Sequence, residues 1–391
     1  MANIRWIEAD NPKRKRAQIT WECRSVSGKR KRMSRTMPVG TKMKEIQEFK
    51  RKVEIEFENG QAIDFQKRTL EEFIEEYLER KKDFLSSSTF VSYKQAIYAK
   101  ENGIVIYLGK IELQKLTTAH IQNYVHFLMN SCKLSPKSIK NIVMIISSIY
   151  NMAMKLGYVS TNVNITKNVE LPRAQKVPVK SYTEEELKTL LSLADELTDE
   201  MLKLAIYLLV GTGMRRSEIM GITVECIDFE KKILNVYQSK VISVNGEEIK
   251  GTKTKCSTRQ IPINAELLKL LKRAVVRYNQ NKMRCGRDFN DSRLVFSELD
   301  GTPMKNHTLS NRYRRWLLSQ SECIRFLPMH MAGRHSFASI LISSGADIKT
   351  VQTLMGHSSA MTTMDIYASA YDAKKKECID RMNEMIFMRN A

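Results

Sequence analysis

Tyr367 stands ten residues after His357 in the stretch Met355-Gly356-His357-Ser358-Ser359-Ala360-Met361-Thr362-Thr363-Met364-Asp365-Ile366-Tyr367. A tyrosine hydroxyl is a weak nucleophile unless it is set against an electrophile that cations have already polarised. Three upstream segments offer such cations: Thr212-Gly213-Met214-Arg215-Arg216-Ser217-Glu218, Lys253 in Thr252-Lys253-Thr254-Lys255, and His330-Met331-Ala332-Gly333-Arg334-His335-Ser336. Arginine forks two hydrogen bonds onto phosphate oxygens. A lysine in a loop can protonate a leaving oxygen, and imidazole with guanidinium can hold a non-bridging oxygen as charge builds. Together the set suggests one site for a phosphodiester.

Singly, each residue also has an ordinary structural reading. Arg215 and Glu218, three apart, could be a surface ion pair, and Lys253 a solvated loop lysine with Lys250 and Lys255 beside it. His330 and Arg334 share a helical face without needing a ligand. His335 points elsewhere on such a helix and reads as a packing residue, and Tyr371 is an alternative to Tyr367. Asp347 reads as the N-cap of a helix with Ile348, Val351 and Leu354 inward, closed by Gly356, which would leave His357 exposed at a helix end.

The elements that must carry these residues fall into three blocks. In 1–62, Ile4, Trp6, Ile19, Trp21 and Cys23 alternate with polar residues as half-buried strands do. Ser27-Gly28 marks a turn, and Met43, Ile46, Phe49, Val53 and Phe57 take helical spacing. These predict a three-stranded sheet backed by one helix. Asn59-Gly60 opens a linker. Residues 66–168 predict an all-helical bundle: a capping box at Thr69 and Glu72, then helices near 87–101, 117–131 and 136–156, the last ended by Gly157. His120 and His126 read there as surface or packing residues. A polar, basic connector at 168–181 leads to 180–391, opened by a capping box at Thr183 and Glu186. In that block Ile233–Val236 and 259–263 read as strands and Asn245-Gly246 as a hairpin turn. The expected architecture is multidomain and mainly α with small β-sheets, the last block being α+β.

Composition narrows the partner. A formal net charge of +21 and a pI near 9.6 favour a polyanion, with nucleic acid ahead of an anionic membrane surface. Through residue 44, thirteen Lys/Arg face Glu8, Asp10 and Glu22. Seven widely spaced cysteines without a CxxC argue against a disulfide framework or a zinc site and fit a reducing cytosol. No apolar run approaches the roughly 20 residues of a membrane span, and no signal peptide is evident. There is no P-loop, HExxH or acidic cluster, so neither a cofactor nor a metal is expected.

Order and spacing together resemble the tyrosine recombinase, or phage-integrase, family: TGxRxSE at 212–218, the Lys253-Thr254 pair ahead of Ile261-Pro262-Ile263, RHSFAS at 334–339, LxGHSS at 354–359 and TTxDxY at 362–367. The resemblance covers roughly 180–380, extends more loosely to the helical block as a core-site-binding domain, and reaches 1–62 as an arm-type DNA-binding domain. It implies that Arg215 and Arg334 clamp the scissile phosphate, that Lys253 is the general acid toward the 5′ oxygen, that His357 is the second histidine, that Tyr367 is the nucleophile and that Glu218 supports the site. One departure stands out. The family spaces its histidine and second arginine as H-x-x-R, whereas here the residue three before Arg334 is Met331. Either an extra residue near Gly333 lets His330 serve, or Met331 occupies that position.

The activity so implied is site-specific DNA recombination through a 3′-phosphotyrosine and a Holliday junction, integrating or excising a mobile element or prophage. The implied partners are double-stranded DNA at core and arm sites, further copies of the chain forming a tetramer on DNA, and accessory DNA-bending or excision factors. The implied setting is the bacterial cytoplasm, with no membrane. A C-terminal stripe of Ile379, Met382, Met385 and Ile386 would dock on a neighbouring protomer. Two rivals share parts of the pattern: a type IB topoisomerase-like enzyme, and a sequence-specific DNA-binding protein with a degraded site.

Overall fold

The computed structural model describes residues 2–8, 15–24, 30–58, 68–159, 163–173, 180–244, 246–251 and 257–357, with 359, 364, 379–380 and 382–383. Lys253, Tyr367 and Tyr371 lie outside the described residues, as do Ser27-Gly28, Asn59-Gly60, Asn245, Met385 and Ile386. The chain forms two compact units, Met1–Gln175 and Lys176–Ala391.

The first unit begins with an antiparallel sheet in the order β1 (Asn3–Glu8), β2 (Lys15–Arg24), β3 (Arg30–Thr36), followed by α1 (Met43–Glu58). The alternation seen in the sequence is realised in β2, where Ala17 and Ile19 are buried with Ile46 and Val53 and the Trp21 and Phe49 rings meet edge-on at 5.9 Å, whereas Trp6 in β1 is 49% exposed. On the face opposite Ala17 and Ile19, the registers place Arg5, Gln18 and Thr36 in one row and Thr20 and Ser34 in the next. That face is polar and at least partly open to solvent.

A second core in this unit is purely helical. It comprises α2 (Leu70–Lys81), α3 (Ser87–Tyr98), the short α4 (Ile104–Leu108), α5 (Thr118–Asn130) and α6 (Pro136–Lys155). Thr69 and Glu72 form the expected capping box, satisfying two orphan amides at the start of α2. Ser135 caps α6 with Pro136 at its first turn, and α6 buries Ile139, Val143, Ile146 and Ile149 on one stripe. Helix α3 stops at Tyr98, short of the expected 101, because 103–108 form the separate turn of α4.

In the second unit, Thr183 and Glu186 cap α7 (Glu184–Asp195), and Asp199 caps α8 (Glu200–Thr212). Helix α8 buries Leu202, Leu204, Ala205, Ile206, Leu208 and Leu209, so it is apolar nearly all round and runs through the core. After it come the single turn α9 (Arg216–Ile219) and an antiparallel sheet β4 (Ile227–Asp228), β5 (Ile233–Val236), β8 (Arg259–Pro262). A separate ribbon pairs β6 (Gln238–Ser243) with β7 (Gly246–Gly251). Lys240 is buried at the ribbon's base, bonded to Glu247 at 2.9 Å and to the Met304 carbonyl at 2.6 Å. The chain closes with α10 (Ala265–Cys285), α11 (Asn306–Ser319), a π-helical turn at Met331–His335, α12 (Ser336–Ser343) and α13 (Ile348–Met355). Ile379 and Met382, further along, are half exposed. Among the described residues no helix is long and apolar enough to cross a membrane.

Candidate active site

The buried helix α8 delivers the first arginine. It ends at Gly213 with φ of +60°, and a Cβ there would lie 2.5 Å from the Phe337 ring. Glycine therefore lets the chain reverse against α12 and start α9 at once. Arg215 is the residue before α9, and its amide and guanidinium both donate to Glu218, at 2.9 and 2.7 Å. This is no surface ion pair, since Glu218 is only 3% exposed.

Glu218 also accepts from Arg259 at 2.9 Å, a residue that the sequence reading passed over. Arg259 is buried in β8, and donates as well to the Leu354 and Ser257 carbonyls, at 2.6 and 3.2 Å. A signal for it existed. Arg259 shares its strand phase with buried Ile261 and Ile263, and a cation in the apolar phase of a strand must have a buried partner. Burial alone would raise the Glu218 carboxyl, but the Arg259 hydrogen bond and charge, with help from Arg215, hold it below the usual carboxylate range.

Arg334 reaches the same place from the π turn. Its guanidinium donates to the Gly213 carbonyl at 2.9 Å and to the Met355 carbonyl at 2.5 Å. Arg215 in turn donates to the Gly356 carbonyl at 3.1 Å. Three segments far apart in sequence are thus tied to one another through backbone carbonyls. Burial, then the nearby Arg215 cation, push Arg334 down to about 9, which leaves it charged at neutral pH.

The longer spacing between His330 and Arg334 has a local explanation. The Ser336 amide donates to the Met331 carbonyl, a five-residue span that inserts one residue into the helix. Gly333 permits this against α8, since a Cβ there would sit 2.7 Å from the Leu209 Cβ. His330 emerges exposed, while Met331 packs on the main core. His335 does not point away, as a regular helix would have it. Its ring meets that of His330 edge-on at 5.5 Å, and it lies within electrostatic reach of Arg334 and His357.

His357 follows α13 as the sequence predicts. Asp347 caps that helix through the Thr350 amide at 2.9 Å, and Gly356 ends it in the left-handed region. His357 is not exposed as a helix end suggests but 6% exposed, because the reversal at Gly356 turns it back among Arg334, Arg215 and His335, its amide bonded to the Gln352 carbonyl at 3.1 Å. Burial, followed by Arg334 and Arg215, lowers His357 to about 4, and burial with His330 and Arg334 does the same to His335. Both rings are neutral at neutral pH.

Acid should therefore weaken the fold. Between the ordinary histidine value of 6.5 and the folded value of about 4, the unfolded chain binds more protons at His335 and His357, so stability falls as pH drops through that window. Glu218 adds a loss only below its ordinary 4.5. Thermal melts from pH 7 to pH 5 should show a falling midpoint, flattened by His357→Gln; a midpoint independent of pH would contradict the burial of both rings.

The structure thus brings Arg215, Glu218, Arg334 and His357 together, adds Arg259 and His335, and sets His330 at the edge. Arg215 and Arg259 both bond to the Glu218 carboxylate and Arg334 lies within electrostatic reach of all three, a preorganised trap for an anion. Among the described residues no group of three His, Cys, Asp or Glu could hold a metal ion.

An α+β unit with such a trap, and a helical bundle and small basic sheet ahead of it in the chain, define a class of multidomain proteins acting on a phosphodiester polyanion. The chain matches the phage integrase family over residues 180–374 and the SAM-like N-terminal domain of phage integrases over 69–129. It belongs to that family, the tyrosine recombinases, whose members recombine DNA at specific sites through a phosphotyrosine. It is 27% identical to the ICEBs1 integrase of Bacillus subtilis, covering 90% of this chain and 93% of that one. It is 28% identical to a XerC-like tyrosine recombinase of Caldanaerobacter subterraneus subsp. tengcongensis, covering 84% and 86%. Its fold resembles the Tn1549 transposon integrase bound to transposon right-end DNA, with a TM-score of 0.63 and 18% identity over 79% of this chain and 99% of that one. It also resembles a lambda integrase dimer on a core site, with a TM-score of 0.55 and 19% identity over 76% and 77%.

Proposed function

We propose that the trap built by Arg215, Arg334 and His357 holds the scissile phosphate, that Tyr367 attacks it, and that the chain integrates or excises a mobile element. The carrying observation is the mutual tie of the two arginines: Arg334 bonds to Gly213, two residues before Arg215, and Arg215 bonds to Gly356, the neighbour of His357. Arginines locked this way lose little entropy when a phosphate arrives, and the anion relieves their mutual repulsion.

In the reaction, the Tyr367 phenol gives its proton to water as its oxygen bonds to phosphorus and the bond to the 5′ oxygen breaks, leaving a 3′-phosphotyrosine and a 5′ hydroxyl. Lys253 gives the leaving oxygen its proton. The 5′ hydroxyl of the partner duplex then attacks the phosphotyrosine, returning its proton to Lys253, and Tyr367 leaves and is reprotonated by water. His357, neutral before DNA binds, donates to a non-bridging oxygen, and the packing of Met331 supports His330 as the second donor. Glu218 and Arg259 orient Arg215.

Three domains divide the work: 1–62 at arm-type sites, 66–168 at core sites and 180–391 in catalysis. The open face of the N-terminal sheet, with Arg5, Gln18, Thr20, Arg32, Ser34 and Thr36, has the donors and acceptors to read base edges. On DNA the chain assembles as a tetramer, with the 379–391 segment docked on a neighbour and accessory factors bending the site, all in the bacterial cytoplasm.

A nicked duplex carrying the element junction tests the reading, because strand loss after cleavage traps the covalent complex. No adduct would reduce the chain to a DNA-binding protein, and relaxation of a plasmid lacking paired sites would make it a topoisomerase. A double change, Arg5→Ala with Arg32→Ala, should erase footprints distant from the crossover and leave core-site adducts unchanged, with each lost base contact worth about 1–3 kcal/mol. Intact distant footprints would remove the sheet from that role.

A further inference from the structure

Beside the phosphate trap, α9, α11 and the segment 326–330 line an open cavity of about 700 Å³. Its wall includes Arg216, Ser310, Asn311, Arg314, Phe326 and His330. Two of these tie it to the site already described: Arg216 follows Arg215, and His330 stands four before Arg334. Arg216 bonds to the neutral Ser310 hydroxyl at 2.6 Å, bridging α9 to α11 while keeping its charge available. Phe326, on this wall, is 39% exposed, so its ring can be reached from solvent.

We propose that the cavity seats one unstacked nucleotide of the DNA strand, next to the phosphate held by Arg215 and Arg334. This rests on the recombinase reading above. The volume falls in the range of sites for nucleotide-sized ligands, about 300–1,000 Å³. The lining supplies what an extruded base requires: a ring face in Phe326, an amide for its polar edge in Asn311, and guanidiniums in Arg216 and Arg314 for the adjoining phosphates. Strand exchange creates the need. A 5′ end that moves from its own duplex to a partner must unpair first, and a seat for a loose base lowers the cost of that state.

The test needs no knowledge of the natural site. The full-length chain is titrated with a short duplex carrying one extrahelical 2-aminopurine, and with the fully paired duplex of the same sequence. The bulged duplex should bind about tenfold tighter, the scale of one base–aromatic stack. Phe326→Ala and, separately, Asn311→Ala should remove most of that preference while paired-duplex affinity stays within about twofold, and Phe326→Trp should keep it. Equal binding of the two duplexes by the unaltered chain would overturn the proposal. So would equal weakening of both by Phe326→Ala, which would make the cavity wall a surface for paired DNA. Covalent trapping is scored independently, so failure of the nucleotide seat is told apart from failure of the recombinase reading.

Discussion

Tyr367→Phe eliminates covalent DNA adducts on a nicked junction substrate and leaves DNA affinity within about twofold, because the change removes one oxygen and no charge. The phenol oxygen is the atom that would bond to phosphorus, and no other group in the proposed site can replace it. Phenylalanine keeps the ring, so packing losses do not confuse the result. Tyr371→Phe is the matched control and should form adducts at the normal rate. Adducts that persist in Tyr367→Phe, or vanish in Tyr371→Phe, would move the nucleophile. Binding in both variants should weaken steeply with salt, since each phosphate contact releases a counterion.

The second large effect is on stability. Glu218→Ala removes the carboxylate between Arg215 and Arg259 and leaves the Arg259 guanidinium, 4% exposed, without a counterion. Breaking a buried pair on one side costs about 3–5 kcal/mol. For a unit of this size, that lowers the melting midpoint by roughly 6–20 °C. Pairing Glu218→Leu with Arg259→Met should recover most of the stability, because both buried charges leave together. Adduct formation should not recover, since Arg215 would still lack the group that orients it. Equal stability of Glu218→Ala and the unaltered chain would show that Arg259 finds another partner. Recovery of activity in the double variant would end the orienting role of Glu218.

Much of the frame was legible because its causes are local. Thr69 with Glu72, Thr183 with Glu186, and Asp347 with Gly356 mark helix ends through hydrogen bonds that span three residues. The alternation in β2 and the stripe of α6 encode which face is buried. Arg215, Arg334 and His357 stood out as candidates for another reason: few residue types can hold a phosphate, and they recur here in one order; that they lie together is a tertiary fact.

The rest depended on contacts that no window of sequence contains. Arg259 carries no mark of its own beyond its strand phase, and becomes part of the site because β8 brings it to Glu218, 41 residues away. His335 reads as a packing residue on a regular helix and turns toward His330 only through the π turn that Gly333 allows against Leu209. The cavity beside His330 exists only where α9 meets α11.

By itself, the sequence determined the chemistry on offer and the elements that bear it, since side-chain type, capping and periodicity act over one or two turns. Tertiary structure decided which cations share a carboxylate, which rings lose their charge, and how an extra residue before Arg334 is absorbed. Those outcomes depend on burial and on distances between remote segments, and both are set only when α8, β8, the π turn and α13 pack together.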